Sequence, residues 1–560
     1  MRLAQKLRSQ VDNLRNKVKH LVAEGSELKQ RIADLVENLA ERDRKIVDLE
    51  AANKRLLKQQ YGPKSERPDD ATQLLITEVL EQLDGGQTDN TSSDQDQPEE
   101  EETPPRKRKR PPGAPRQSLQ QQMAHLPEHI ETLDLPEAEK IDPDTGQPLT
   151  LIGYEETRRI AEQPASLYQL VIRRPKYSNP GGLERGESGV KMVPAPDNTP
   201  IEKCRADVSV LASIVTDKYL DHLTLYRIQE RFWRLGKVWI DRKTLCGWVG
   251  GCADALEPIY KEMAKRIFES GYVGFDDTIL RMLQPAAKAG RTKNVRLWAY
   301  VGLLDKAPYT LYDFTLTREK SGPLAFIPQD YQGWLQGDAY SGHDEVMKRS
   351  GIEEAGCWDH GRRYFVESTE SAPETASAAL ARIKLLYRIE RKLEKANAPP
   401  DEVKRVRQKE SVPILTEFKE WLDTQQAQEL PSSSISKAIN YALNQWEALS
   451  AYVQDGNVPI SNCASENAMR PVAIGRKNWL FVGNETSGQQ TAILLSITQT
   501  CRRLGIDVRA YLTDVLARVN THPADRIAEL LPDRWAAEKI AAGADIRLRG
   551  GDPRARRSAA

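Results

Sequence analysis

Apolar side chains recur every seven positions along residues 1–59. Ala4, Val11, Val18, Ile32, Leu39 and Ile46 fall at one core position of the repeat, and Leu7, Leu14, Leu21, Leu28, Leu35, Leu49 and Leu56 at the other. β-Branched residues at the first position with leucine at the second favour a parallel two-stranded coiled coil, and Asn53 at a core position is a register-fixing device. Gly25 and Arg42 interrupt the stripe. A helix with so long an apolar seam is expected to cover it with a second copy of itself.

The periodicity then stops. Residues 60–120 read as a linker, with an acidic run (Asp94, Asp96, Glu99 to Glu102) followed by a basic one, Arg106 to Arg110. Such composition buries too little apolar surface to fold alone. Lys107, Arg108, Lys109 and Arg110 are expected to grip DNA phosphates. Helical patterning returns in residues 201–265. Leu225, Ile228 and Phe232 mark one amphipathic helix, Gly236 a turn, and Asp241 the cap of a second helix. This reads as a helix-turn-helix, with Arg242 and Lys243 at the amino end of the second helix, where a recognition helix meets bases and phosphates. An ordinary helical hairpin gives the same pattern.

Strand character follows. Tyr272 to Leu283, Val295 to Leu303 and Tyr309 to Leu316 are rich in Val, Tyr, Trp, Phe and Leu between turn residues, which predicts an antiparallel meander. A fourth run, Trp334 to Gly337, ends at Asp338, and helical pattern holds from about Ala372 to Val453, broken at Pro399, Pro400 and Pro431. The fold class is therefore α+β and multidomain, with an all-helical insertion.

Composition adds limits. Lys+Arg and Asp+Glu are equal at 81 each, so any DNA surface must be local rather than a property of the whole molecule. No apolar run approaches the roughly 20 residues of a spanning helix, so no membrane partner is expected and the compartment is read as cytoplasmic. The six cysteines are scattered without a CxxC pair, so no thiolate zinc site is expected.

Three carboxylates stand where a fold would bring them together. Asp276 lies inside a strand, where a charge is unfavourable unless something compensates for it. Asp338 follows a strand directly, and Glu466 sits in the helical string SNCASENAMRP, which Ser461 or Asn462 is placed to cap. Hard oxygen ligands of this kind hold paired divalent ions that activate water or a 3′-hydroxyl in phosphodiester chemistry. Asp276 and Asp277 point to opposite faces of a strand, so one of them belongs to such a site, and parity does not decide which. Plainer roles also fit: a turn residue, a cap, an exposed Glu–Arg pair. Arg476 and Lys477, beside Asn478 and Trp479, form a basic-aromatic patch suited to a DNA end, although Trp479, Leu480 and Phe481 also read as core.

The strings DDTIL, GWLQGDAY, CWDHGRRYF, SENAMRPVAIGRKNWLFVGN, YLTDVL and DRIAELLP, with YGPKSER and RRPKY upstream, resemble the transposases of the insertion-sequence-sixty-six family, a DDE type, over nearly the whole chain. The resemblance implies an RNase H-like core with Asp276, Asp338 and Glu466 as catalytic residues and as ligands of divalent metal, two Mg2+ ions. It favours Asp276 over Asp277, because Asp277 stands where the family pattern carries Glu. It also implies supporting roles near the site for His360 and Arg363. The implied layout is a coiled coil (1–59), the linker (60–120), a small module (121–200), helix-turn-helix-like helices (201–265), the first part of the core (266–370), a helical insertion (371–455), the second part with the Glu (456–505) and a C-terminal region (506–560). The family's zinc module maps to 121–200, where this chain has no cysteine, so zinc is not expected. The implied function is metal-dependent strand cleavage and strand transfer at the ends of an insertion sequence. Its partners would be double-stranded DNA (terminal repeats and target), a second copy of the chain and small accessory proteins of the same element, in a bacterial, nucleoid-associated setting. A non-catalytic DNA-binding regulator with a vestigial nuclease core is the alternative.

Overall fold

The computed structural model describes residues 126–141, 147–163, 166–178, 190–194, 199–284, 291–318, 321–338, 344–544 and 546, with scattered positions between 17 and 124. Most of the heptad region, the basic run Lys107 to Arg110, and Asp142 and Asp144 lie outside the described residues. The scattered described positions from Lys17 to Ile46 are helical, and Leu35 and Ile46, both at core positions of the repeat, are exposed in the single chain. The chain forms two compact units, one of residues 1–95 and 355–461, the other of residues 96–354 and 462–560.

In the second unit, β1 (Glu128–Thr132), β2 (Thr150–Gln163), β3 (Ser166–Ser178) and β4 (Val190–Lys191) form a sheet in the order β1-β3-β2, with β4 also on β3. β2 and β3 are a long antiparallel hairpin whose register shifts between Leu151 and Gly153. On one face Ile160 and Leu167 join the main core. Ala161, Leu170 and Ile172 make a small core, and the cross-strand pairs Arg173 with Glu156 at 2.8 Å and Lys176 with Glu155 at 2.6 Å lie on opposite faces of the hairpin. The sheet is thus held by its ladder and by apolar residues on both faces.

Three helices follow: α1 (Val208–Tyr219), α2 (Leu225–Gly236) and α3 (Arg242–Ile267). Each is capped by the side chain before it. Asp207 accepts from the Ser209 N–H, Thr224 from Arg227 and Asp241 from Lys243, each satisfying one orphan donor of a first turn. The helix that Asp241 starts runs on for 26 residues through Pro258, much longer than a recognition helix alone, and its inner face joins the main core.

The second sheet has the order β7-β6-β5-β8-β9, with β5 (Tyr272–Leu283), β6 (Thr292–Gly302) and β7 (Thr310–Thr315) an antiparallel meander, β8 (Gly333–Gln336) parallel to β5, and β9 (Ile352–Ala355) at the edge. Trp298, Tyr300, Tyr312 and Phe275 are fully buried on it.

Residues 355–461, which interrupt this unit in the sequence, belong to the first unit, which packs α4 (Trp358–Ser368), α5 (Pro373–Lys395), α6 (Val412–Gln426) and α7 (Ser434–Asn444). Trp358, Phe418 and Trp446 meet with ring centres 5.9 to 6.0 Å apart. Arg407 is buried there. It forms a two-bonded pair with Glu390 and donates to the carbonyls of Tyr452, Asp455 and Val458. The chain then returns to the second unit as α8 (Cys463–Trp479), α9 (Glu485–Leu504), α10 (Val508–Arg518) and α11 (Pro532–Ala541). α9 covers the outer edge of the second sheet. Its Ser496 and Thr500 hydroxyls accept from the Tyr312 and Thr310 N–H groups at 2.8 and 3.0 Å, so the edge strand offers no open donors there.

Candidate active site

β5 is the central strand of its sheet, and Asp276 sits midway along it, paired with Ala299 of β6. Asp338 lies two residues beyond β8, the strand parallel to β5, and Glu466 in the first turn of α8. The three carboxylates converge. Burial pushes the Asp276 carboxyl up to about 7, and the charges of Asp338 and Glu466 push in the same direction, against one stabilising hydrogen bond from the Asp277 N–H at 2.7 Å. No cation pairs with Asp276 among the described residues.

Its neighbour differs. The Asp277 side chain is buried and bound by two guanidinium groups, Arg296 at 2.7 Å and Arg318 at 2.9 Å. Arg296 is opposite Ile279, so it stands diagonally across the ladder from Asp277 on the same face of the sheet. Arg318 also reaches Asp338 at 3.4 Å. One of two adjacent aspartates is therefore neutralised by protein cations, while the other faces two more carboxylates.

Several contacts fix α8 against β5. Asn462 stands at the N-cap position, but its side chain does not cap the helix; its amide donates instead to the Phe275 carbonyl at 2.7 Å, beside Asp276. This replaces the capping role expected of it. Gly274 permits the approach, since a Cβ there would lie 2.7 Å from Asn462 Oδ1 and 2.8 Å from Ser465 Oγ. At the far end of α8, Arg476 donates to the Thr278 hydroxyl and the Ile279 carbonyl, both at 2.9 Å. Beyond it Val482 exchanges backbone bonds with Arg281 and Leu283 of β5. Arg476 thus clamps helix to strand, whereas Lys477 is exposed. Leu480 and Phe481 are 60% and 41% exposed and are not core.

Arg242 and Lys243 are exposed at the amino end of α3. His360 and Arg363 belong to α4 of the helical unit. Sequence reasoning missed Arg296, Arg318 and Gly274, and gave Asn462 only a capping role; register across β5 and β6 is the signal that pairs Arg296 with Asp277.

A model of the family described as "Transposase IS66 family" matches residues 203–490, and the "IS66 C-terminal element" matches residues 496–532. The chain belongs to the IS66 family of transposases. The matched span includes all three converging carboxylates, the clamp of α8 and the helical insertion. Among curated relatives, "Uncharacterized protein y4hP" of Sinorhizobium fredii (strain NBRC 101917 / NGR234) is 30% identical over 428 residues, covering 72% of this chain and 74% of the relative. "Uncharacterized protein y4jD" of the same strain is 30% identical over 448 residues, covering 76% and 84%. Membership of this IS66 family implies a function in transposition, and with it DNA binding and dependence on a divalent metal. Among the described residues, no helix is long and apolar enough to cross a membrane.

Proposed function

We propose that this IS66-family chain is a DDE-type transposase that cleaves and joins DNA strands at the ends of its element, with Asp276, Asp338 and Glu466 as the catalytic carboxylates. The observation that carries the reading is the contrast within the pair Asp276–Asp277. A half-buried carboxylate left without a cation and facing two others is a site built to receive positive charge, whereas its neighbour is already satisfied. An RNase H-like core fits the strand order, a three-stranded antiparallel meander followed by a strand parallel to the first.

The donor set suits divalent magnesium. All three side chains offer hard oxygens, and the mutual repulsion that raises Asp276 would be relieved by a bound cation. When bound, such ions stabilise charge on the attacking and leaving oxygens of a phosphodiester. The chain's own residues set the frame for this. Asp276 is held by the Asp277 N–H, Glu466 by the clamp of α8, and Arg318 lies within reach of Asp338 as a protein cation beside the site. Arg242, Lys243, Lys477 and the basic run Lys107 to Arg110 are assigned to DNA phosphates, and the heptad stripe of residues 1–59, with Leu35 and Ile46 exposed, to self-association.

The test is strand cleavage on duplexes carrying the ends of the element that encodes this chain, with Mg2+ or Mn2+. Asp276→Asn, Asp338→Asn and Glu466→Gln should each abolish nicking and leave DNA binding intact. Retained nicking by any of them would remove that residue from the site, and a parent that binds these ends without nicking them would make the chain a DNA-binding regulator.

A further inference from the structure

Apart from the carboxylates, the unit that carries them has a cavity of about 540 Å3 lined by Lys218 of α1, Tyr226 of α2, Arg242 and Lys243 of α3, and Asn478 and Trp479 at the end of α8. A pocket of this size takes a small organic group. The starts of α2 and α3 both border it, through Thr224 and Asp241, and helix amino ends favour anions. The Asp241 carboxylate is engaged with its own helix, accepting from the Lys243 N–H at 2.7 Å.

The lining is basic and aromatic together. Lys218 is half-buried, with its ammonium 5.2 Å from the centre of the Tyr219 ring and 5.7 Å from that of Trp479. No carboxylate pairs with Lys218, Arg242 or Lys243 among the described residues. Burial draws the Lys218 ammonium down to about 8, which leaves it mostly charged at neutral pH. A charge withdrawn from water without a counter-ion is unfavourable on its own, so a ligand anion is the natural complement. Trp479 lies against Gly475, where a Cβ would come within 2.6 Å of the indole nitrogen. The next residue, Leu480, takes φ 63°, a conformation that a bulky side chain adopts only when its surroundings impose it.

We infer that this cavity receives a single unstacked nucleotide of the bound DNA, with its base against Trp479 and its phosphate among Lys218, Arg242 and Lys243. A base still paired inside a duplex cannot enter such a pocket, whereas one at a frayed end or in a single strand can. Aromatic stacking combined with cations along the backbone is the usual chemistry of single-strand recognition, and the Asn478 amide can both donate to and accept from a base edge. The inference rests on the DNA-transposase reading, and it adds that the protein distinguishes an opened DNA end from a closed one at a place of its own.

The experiment compares the full chain on two probes of equal length, a blunt duplex and a duplex ending in a short single-stranded overhang with 2-aminopurine in it. Trp479→Leu and Lys218→Met should each weaken overhang binding about ten-fold, the loss expected for one stacked base, and change blunt-duplex binding by less than about two-fold. The parent should quench 2-aminopurine, Trp479→Phe should retain most of the quenching, and Lys218→Met should melt no lower than the parent, because it removes a half-buried charge that no carboxylate pairs with among the described residues. Equal losses on both probes, or quenching that survives Trp479→Leu, overturns the inference. Asp276→Asn should bind both probes as the parent does. Failure of cleavage with intact overhang preference therefore counts against the catalytic reading alone, and cleavage without overhang preference against the pocket alone.

Discussion

Replacing Asp276 by asparagine should stabilise the metal-free protein, and by an amount that depends on pH. The folded carboxyl titrates at about 7 against an ordinary value of 3.8, a difference near three units, and each unit is worth 1.36 kcal/mol. This gives an upper limit of about 4 kcal/mol, and relaxation with water entry lowers the expectation to about 2–4 kcal/mol. The sign follows from proton binding. Below about pH 4 the group is protonated in both folded and unfolded chains and contributes nothing. As pH rises toward 7 the unfolded chain ionises freely while the folded one resists, so the parent loses stability across that window and stays destabilised above it. The asparagine variant has no such loss. Asp313 is also raised by burial, to about 6, so the parent's own pH slope contains more than one group, and only the difference between parent and variant isolates Asp276. Urea melts of both proteins in chelator at pH 4, 6 and 8 measure it. The difference should be near zero at pH 4 and largest at pH 8, and Mg2+ should narrow it by stabilising the parent alone. A variant less stable than the parent at pH 8, or a difference that does not change with pH, would refute the assignment of Asp276 as the unpaired carboxylate.

Asp277→Asn should behave oppositely, losing about 1–3 kcal/mol at neutral pH because Arg296 and Arg318 lose the buried negative charge they pair with, in the same urea melts. Gly274→Ala should displace α8, costing about 1–3 kcal/mol and most of the nicking activity while DNA binding survives, as judged by melts and gel shifts in parallel. Arg407→Ala should unfold the helical unit most readily, by about 3–5 kcal/mol, because it leaves Glu390 and three carbonyls unpaired; limited proteolysis should then cut first within residues 355–461. Elemental analysis of the purified chain should find no stoichiometric zinc, and one tightly held zinc per chain would show that residues 121–200 do more than form a sheet.

Local pattern carried the strands and helices of the core further than it carried the site. β5 runs from Tyr272 to Leu283, the bounds that its apolar and β-branched residues predict, and Thr224 and Asp241 cap their helices as short polar residues before an apolar period should. The β2–β3 hairpin was not legible, because its alternation is of charge with charge. Glu155, Glu156, Arg173 and Lys176 look like a solvated stretch until the register sets Glu156 opposite Arg173 and Glu155 diagonal to Lys176. The choice between Asp276 and Asp277 was closed to sequence for a similar reason. Strand parity separates them, but the cations that satisfy Asp277 come from β6 and from Arg318, 41 positions away. The clamp made by Arg476 was not legible either, because only the tertiary fold brings one nitrogen of its guanidinium to Thr278 and Ile279.

The hardest feature to reconcile with a single site is the 128 positions of chain between Asp338 and Glu466. A flexible loop of that length would cost closure entropy and leave α8 poorly held. The helical unit removes most of the difficulty by closing on itself. At its entrance the Gly356 N–H donates to the Ala448 carbonyl at 2.8 Å and the Trp358 N–H to the Ile460 carbonyl at 3.2 Å, so the first and last segments of the insertion are bonded together. Trp358 Nε1 adds a bond to the Leu449 carbonyl at 2.8 Å, and a Cβ on Gly356 would strike the Leu449 backbone, so the two ends lie as near as packing allows. A folded insertion with joined ends acts on its host chain as a short connection does. Glu466, five residues past its exit, is then fixed by Asn462, Gly274 and Arg476, all acting on β5, and the precision of the carboxylate cluster depends on one strand and one helix rather than on the length of chain between them.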